Sequence, residues 1–472
     1  MSETVRITGL GAQGDGIAAL APPSGETEGG SLFVPGTLPG ETASILRTVA
    51  PVAGSQGRAA SPPRATLLAV LDLSPARQDP PCAFFDRCGG CVVQHGSDAF
   101  VADWKRDLVR IALEARLGPA AAAISLRATA TVPAESRRRL TVTARRLRQG
   151  VVIGFHGRAA ATILPVTTCA VARPALVAAL PRIEELAGAL ASRKGELRLT
   201  LSESTAGIDC AVTGAKPLSG AETALLAGVA ARGGLARLAL DGEPVVTIRP
   251  PVHEIGGVSV LPPPGAFLQP TEAGAETLTD LVLEALCLGP HHERAVQHPA
   301  APRPLVAGAL SGPGARRMRR RRPLIADLFA GIGTFALPLG AHADLEAYEL
   351  EGPAIAALEA AWRGGSGEGG PLKGRLEAAR RNLFHRPLEG ASLDRLDGVV
   401  IDPPRAGARA QAEALAKSGV PRIASVSCNP ATFARDARIL IDGGYVLDWV
   451  APVDQFRWSA HVELIGAFRR PA

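Results

Sequence analysis

The stretch Arg422-Ile423-Ala424-Ser425-Val426-Ser427-Cys428-Asn429-Pro430-Ala431-Thr432-Phe433-Ala434-Arg435-Asp436 opens as a short apolar, β-forming run and closes as the start of a helix. Asn429 suits the cap of that helix and Pro430 its first position, where a missing N–H costs nothing. Cys428 therefore falls at the carboxyl end of a strand, directly before a helix N-terminus, where partial positive charge favours thiolate over thiol. Outward from it, Asp397-Gly398-Val399-Val400-Ile401-Asp402-Pro403-Pro404-Arg405 ends a second strand in a carboxylate, and His461-Val462-Glu463 puts another carboxylate in a third. Upstream, residues 324–329 read as a strand, followed by the glycine turn Ala330-Gly331-Ile332-Gly333-Thr334 and an apolar helix. Residues 345–349 read as a strand followed by an alanine-rich helix. With further strands expected at 398–401, 422–427, 444–450 and 461–468, the rhythm is that of a doubly wound α/β sheet. Ligands of such sheets bind beyond the carboxyl ends of the strands, where Asp327 to Thr334, Glu349, Asp402 and Cys428 all fall.

The 472 residues leave room for two to four domains, and 46% hydrophobic with 20% charged residues describes a globular chain. A net charge of +6 and a pI of about 9.1 permit a polyanionic partner. The arginines are clustered, at Arg137 to Arg139, Arg145, Arg146 and Arg148, and in a nearly unbroken run from Arg316 to Arg322. No secretory leader pattern and no apolar span long enough to cross a membrane are present, so a cytoplasmic protein with no membrane partner is expected. Seven cysteines in a compartment that keeps thiols reduced point to metal binding or catalysis rather than a disulfide framework.

Toward the N-terminus, short β-like runs at 4–7, 30–34 and 65–71, separated by Gly and Pro, suggest a small β-barrel. Gly9 to Gly14 formally matches G-x-G-x-x-G, but Asp15-Gly16 and then Pro22-Pro23 follow where a helix would have to start, so the glycines read as turn punctuation. Next comes Cys82-Ala83-Phe84-Phe85-Asp86-Arg87-Cys88-Gly89-Gly90-Cys91, and Cys169 is the best later candidate for a fourth thiolate. Four thiolates suit zinc or an iron–sulfur cluster, and the wide first gap favours iron–sulfur. Cys210 and Cys287 lie in apolar segments and read as core. From about 120 to 262 strands and helices mix, and Arg137 to Arg146 alternates basic and apolar residues, which could present a basic face to phosphates. Segment 289–322 reads as an irregular insertion whose His291, His292 and His298 lack ligand spacing.

An acidic residue after the second strand is what an open α/β nucleotide site uses for ribose hydroxyls. Glu349 fits, with Glu351 as a rival. The glycine loop allows the close backbone approach that S-adenosylmethionine needs. A thiolate beside a methyl donor makes no sense for an acceptor with its own lone pair. It does for a pyrimidine C5: thiolate addition at C6 turns C5 into a carbon nucleophile, and a base must then remove the C5 proton.

The chain resembles the RNA uracil-5-methyltransferase family in Phe267-Leu268-Gln269, in Asp327 to Phe335, in Asp402-Pro403-Pro404-Arg405-Ala406-Gly407, in Val426 to Thr432 with Ala434-Arg435-Asp436, and in His461-Val462-Glu463. The resemblance implies Cys428 as the nucleophile and Glu463 as the proton acceptor, with Gln269, Phe329, Thr334, Glu349, Asn382 and Asp402 around S-adenosylmethionine. It implies an α/β fold with a class I, Rossmann-like methyltransferase domain at 263–472. Gly14 to Ala18, Phe33 to Gly36 and Leu38 to Glu41 resemble a TRAM domain, an OB-like RNA-binding barrel, over 1–72. A central α+β domain, 73–262, would carry a 4Fe–4S cluster on Cys82, Cys88, Cys91 and Cys169. Barrel and cluster together resemble the branch acting on 23S ribosomal RNA, as a monomer. The rivals are a transfer-RNA enzyme with the same chemistry, an amino-methyltransferase using Asp402-Pro403-Pro404, and a non-catalytic RNA-binding factor.

Overall fold

Strands β1 (Ser2–Leu10), β2 (Asp15–Ala19), β3 (Ser31–Pro35), β4 (Thr42–Arg47) and β5 (Ala65–Asp72) form an antiparallel sheet in the order β3-β2-β1-β4-β5. A bridge between Phe33 and Arg64 draws its two edges together. Alternation turns Ile7, Ala18, Leu32, Val34, Ala43 and Ile45 inward as a small core. The glycines at 9–14 lie in and around the β1–β2 turn, where Gly11 N–H donates to the Asp15 carbonyl at 2.8 Å. This is a computed structural model, and it describes residues 2–20, 30–47, 63–158, 160–193, 195–289 and 321–471. The insertion expected at 289–322, with its histidines and the arginines up to 320, lies outside the described residues except at its ends.

The central unit is a seven-stranded sheet, in the order β10-β9-β8-β11-β12-β13-β14. Its strands are β8 (Arg139–Leu147), β9 (Gly150–His156), β10 (Ile163–Leu164), β11 (Leu197–Ser204), β12 (Gly207–Thr213), β13 (Leu235–Leu240) and β14 (Glu243–Thr247). The helices Pro174–Leu190 and Gly220–Arg232 cover it, and Leu176, Ile183, Leu186 and Leu190 pack with Val142, Leu199 and Leu201. A short hairpin, β15 (His253–Ile255) and β16 (Val258–Val260), leads into the C-terminal unit.

The C-terminal sheet holds β17 (Leu324–Leu328), β18 (Asp344–Glu349), β19 (Leu376–Arg380), β20 (Gly398–Ile401), β21 (Arg422–Ser427), β22 (Val446–Asp454) and β23 (Glu463–Arg469). Their order is β19-β18-β17-β20-β21-β23-β22, parallel as far as β21, with β23 inserted antiparallel between β21 and β22. The order reverses between β17 and β20, which makes the crevice at that point the ligand-binding position of the sheet. Apolar clusters fill both faces, as the near-continuous hydrophobic strands require. The strand β19 was not legible in the sequence, because Leu376-Glu377-Ala378-Ala379-Arg380 lacks β-branched residues and resembles a helix.

One boundary differs from expectation. Residues 98–131, assigned by sequence to the central unit, pack on the C-terminal sheet. The helix Asp98–Leu117 is capped by Ser97, whose side chain accepts from Phe100 N–H, and its buried stripe is Val101, Trp104, Lys105, Val109, Leu113 and Leu117. That stripe lies on the helix Pro430–Asp442 and on β22, while β6 (Ser125–Leu126) and β7 (Ala130–Thr131) pair with the β22 edge and extend the sheet to nine strands. The edge of β22 would otherwise leave backbone groups unpaired. No helix among the described residues is long and apolar enough to cross a membrane.

Lys105 is the anomaly on that stripe. Its Nζ is fully buried, pairs with the equally buried Asp454 carboxylate, and donates to the Phe456 carbonyl at 3.1 Å. A cation on an apolar stripe is tolerated only with a fixed anion to meet it. The variant Lys105→Met should therefore lose about 3–5 kcal/mol of unfolding free energy in urea titrations, because Asp454 is left buried and uncompensated. Lys105→Met with Asp454→Leu should recover most of it. An unchanged midpoint in the single variant would show that the pair does not anchor the helix.

Candidate active site

Cys428 follows β21 and precedes the helix Pro430–Asp442, whose cap is Asn429: its Oδ1 accepts from Ala431 N–H at 3.1 Å. Ser427 Oγ accepts from Asn429 N–H at 3.2 Å, and Asn429 Nδ2 donates to the Arg405 carbonyl at 3.1 Å. Thr432 Oγ1 donates to the same carbonyl at 3.3 Å. These bonds lock the Asp402–Gly407 loop onto the turn carrying Cys428. Gly407 is needed there: its φ is +73°, and a Cβ would lie 2.5 Å from Arg435 Nη2 and 2.6 Å from an Asp436 oxygen. Glu463 begins β23, where Leu464 pairs with Ser427, so the antiparallel register brings Cys428 and Glu463 to the same end of adjacent strands.

The electrostatics correct one expectation. A helix N-terminus was expected to favour thiolate, yet burial pushes the Cys428 thiol up to about 11, with the charges of Glu463 and Asp402 adding to it and Arg405 opposing. One helix terminus is a partial charge, and it loses to desolvation plus two neighbouring carboxylates. Burial, with Asp402 second, likewise raises Glu463 to about 8, against the pull of a Gln455 hydrogen bond and of Arg405. Burial brings Asp402 to about 7. Asp327 is fully buried with both carboxylate oxygens unpartnered, and burial and then Asp402 raise it to about 8. Several carboxyl groups thus titrate near neutrality around one crevice, the pattern of a functional site rather than of a surface.

On the other side of the crevice, Glu349 ends β18 and turns its carboxylate to the glycine loop. Oε2 accepts from Gly331 N–H at 3.0 Å, and Oε1 from Leu350 and Glu351 N–H at 2.6 and 2.9 Å. Its rival Glu351 is exposed and precedes the helix Gly352–Gly365 without a capping hydrogen bond. Gly333, at φ +98°, lets the loop lie against the apolar helix face, since a Cβ would meet Leu358 at 2.5 Å. Phe329 takes a positive φ of 66° at the end of β17, and its ring meets that of Phe384 at 5.4 Å. Asn382 Oδ1 accepts from Phe384 N–H at 3.1 Å. Thr334 turns to a groove beside the helix Glu272–Ala285, walled by Glu272, Glu276 and Asp280. Gln269 is buried, its Oε1 accepting from Gln455 Nε2 at 2.7 Å.

Against this geometry stand the likenesses to known proteins. Residues 376–469 match the family model described as tRNA (Uracil-5-)-methyltransferase. An uncharacterized RNA methyltransferase of Mesorhizobium japonicum is 37% identical across 100% of this chain and 99% of its own length. The chain belongs to the uracil-5 RNA methyltransferase family. A second relative in this RNA methyltransferase family, the 23S rRNA (uracil(1939)-C(5))-methyltransferase of Pectobacterium atrosepticum, is 28% identical over 98% of this chain and 93% of its own. The crystal structure of the Pyrococcus abyssi tRNA (uracil-54, C5)-methyltransferase in complex with S-adenosyl-L-homocysteine superposes with a TM-score of 0.64 at 19% identity, covering 98% of this chain and 99% of that one. That likeness establishes a shared fold.

Two further expectations for this methyltransferase meet the structure. Cys82, Cys88, Cys91 and Cys169 line one pocket, together with Arg137, Arg139 and Arg457. Gly90 N–H donates to Cys88 Sγ and Ala172 N–H to Cys169 Sγ, both at 3.4 Å. Burial raises the Cys88 thiol, and raises Cys91 to about 12. The thiols surround the pocket without closing on a point: among the described residues, no group of three or more His, Cys, Asp or Glu side chains is placed to hold a metal ion. Of the basic face expected over Arg137 to Arg146, several arginines are engaged internally. Arg138 binds Glu272 and the Gln269 carbonyl, Arg145 pairs with Glu196, and Arg146 donates to the Gly188 and Ala191 carbonyls. The alternation was real, and carboxylates take the charges of Arg138 and Arg145. Sequence reading missed Lys105, Gln455 and Phe384, none of which belongs to a motif on its own.

A test of the thiol's surroundings is direct. In the ligand-free protein, alkylation of Cys428 by iodoacetamide, followed by mass spectrometry of its peptide, should be slow at neutral pH and climb until about pH 11. Glu463→Gln removes the second-largest cause of the rise and should move the profile to lower pH. A profile centred at the value of a free thiol, about 8.5, would show that burial and the carboxylates do not act on Cys428.

Proposed function

We propose that this RNA methyltransferase transfers a methyl group from S-adenosylmethionine to C5 of a uracil in 23S ribosomal RNA. The observation that carries the reading is the convergence of Cys428 and Glu463 at one end of β21 and β23, across the crevice from Glu349 and the glycine loop. Cys428 loses its thiol proton to solvent and the thiolate bonds through sulfur to C6, while the C5–C6 electron pair moves to C5 and the adjoining carbonyl. The donor supplies an electrophilic methyl group, which bonds to C5, and leaves as S-adenosylhomocysteine. Glu463 then removes the C5 proton; the C–H electrons restore the C5–C6 double bond and expel the Cys428 thiolate. A carboxyl group raised to about 8 is a stronger proton acceptor than an ordinary carboxylate, though only roughly a tenth of it is ionised at pH 7, so the last step should quicken as pH rises toward 8. Glu349, Phe329, Asn382, Thr334, Gln269 and Asp402 would hold the donor.

The same reading takes the barrel at 1–72 as an RNA-docking unit. It takes the four-cysteine pocket of the 73–262 unit as the seat of a 4Fe–4S cluster, supported by four thiols on one pocket and two N–H···S hydrogen bonds. Such a cluster would cross-link the Cys82–Cys91 loop to the segment around Cys169. A second reading, transfer RNA as substrate, is favoured by the description of the matching family model. Methylation of each RNA separately, with the modified base mapped, decides between them.

Two outcomes are expected. With RNA and labelled methyl donor, Glu463→Gln should accumulate a methylated protein–RNA adduct that survives denaturing electrophoresis, because glutamine cannot accept the C5 proton. Cys428→Ala should give neither adduct nor product. Wild-type turnover by Glu463→Gln, or methylation by Cys428→Ala, would falsify the mechanism. Separately, protein purified without oxygen should be brown and contain iron and sulfide, and Cys82→Ser should lose both. Colourless protein with stoichiometric zinc would overturn the cluster.

A further inference from the structure

Gln455 lies between β22 and β23, outside every motif that marks the site. It is 1% exposed. The residues on either side of it are held by one cation: Lys105 Nζ binds the Asp454 carboxylate before it and the Phe456 carbonyl after it. The backbone at Gln455 is therefore fixed by a buried charge, and its side chain has little freedom to wander. From that position Nε2 donates to Gln269 Oε1 at 2.7 Å. The Gln269 carbonyl is itself taken by Arg138 Nε at 3.1 Å. With both of its oxygens occupied, Gln269 has only its amide N–H groups left to offer a ligand, so it is arranged as a donor to a carboxylate or carbonyl oxygen. The Gln455 Oε1 is buried and without a partner, and the space beside it is closed to any larger residue at 274, where a Cβ would lie 2.6 Å away. A buried amide oxygen left unpaired costs stability, so the residue is not there for the core.

We propose that Gln455 is a positioning residue that holds Gln269 with its amide N–H groups turned to the methyl donor. Donor binding is then set through a side chain that Lys105 in turn fixes. This rests on the reading of Gln269 as part of the methyl-donor site.

The test is Gln455→Met, which keeps the volume and removes the hydrogen bond to Gln269. Titration calorimetry with S-adenosylhomocysteine should show affinity weakened about ten-fold, the scale of one buried hydrogen bond broken with a partner left unsatisfied. Gln269→Met should weaken it similarly, and the double variant should lose little more than either single one, because the two amides act as a unit. Unchanged affinity in Gln455→Met, or additive losses in the double variant, overturns the hold on Gln269. The reading of Gln269 as part of a methyl-donor site fails separately, if the wild-type protein does not bind S-adenosylhomocysteine.

Discussion

The antiparallel insertion of β23 between β21 and β22 is the constraint on which the site depends. In an all-parallel sheet the carboxyl ends of strands share one edge, and a residue that begins a strand lies at the opposite edge. Because β23 runs the other way, its first residue, Glu463, arrives at the edge where Cys428 ends β21. A thiol and a carboxyl group are thereby brought onto neighbouring strands without any loop having to reach across. The Asp402–Gly407 loop closes the third side, tied to the same turn through the Arg405 carbonyl.

The second consequence of that geometry is electrostatic. Packing Asp327, Asp402 and Glu463 into one poorly solvated crevice lifts all three well above ordinary carboxylates and lifts the Cys428 thiol with them. Glu463 is thereby a stronger proton acceptor than an ordinary carboxylate, and the Cys428 thiol stays protonated near neutral pH, through burial first and the two carboxyl groups second. Arg405 opposes the rise at both groups, and its Nη2 also meets His461 Nδ1 at 3.4 Å. A thiol kept protonated in this way is shielded from adventitious oxidation and alkylation.

The segment from Asp454 to Glu463 joins the parts of the molecule. Asp454 is fixed by Lys105, and Arg457 lines the cysteine pocket and donates to the Val132 carbonyl at 2.9 Å. The Trp458 carbonyl accepts from Val92 and Val93 N–H at 2.8 and 3.2 Å. Trp458 also packs with Val93, Val101 and Trp104, against which Leu10 of the barrel and Cys91 lie. Barrel, cysteine loop, helix Asp98–Leu117 and catalytic sheet therefore meet at the turn that delivers Glu463.

Sequence alone determined the local grammar of the catalytic unit. The strand–cap–proline pattern at 422–430 located Cys428, the glycine turn at 330–334 located the end of β17, and Glu349, Asp402 and Glu463 stand at strand ends, because capping, glycine geometry and strand alternation are properties of a few neighbouring residues. The motif resemblance added the chemistry. Tertiary structure decided what depends on neighbours distant in the chain. Lys105 reads as an ordinary surface lysine until Asp454, 349 positions away, is packed against it. Arg138 and Arg145 read as an RNA-facing strip until Glu272 and Glu196 take their charges. The acidity of Cys428 was read from the helix terminus beside it, but burial sets it, and burial is a property of everything folded around a group. Gln455 has no signature at all: its meaning is the 2.7 Å contact with a residue 186 positions earlier, which exists only once β22 and the Gln269 segment are brought together.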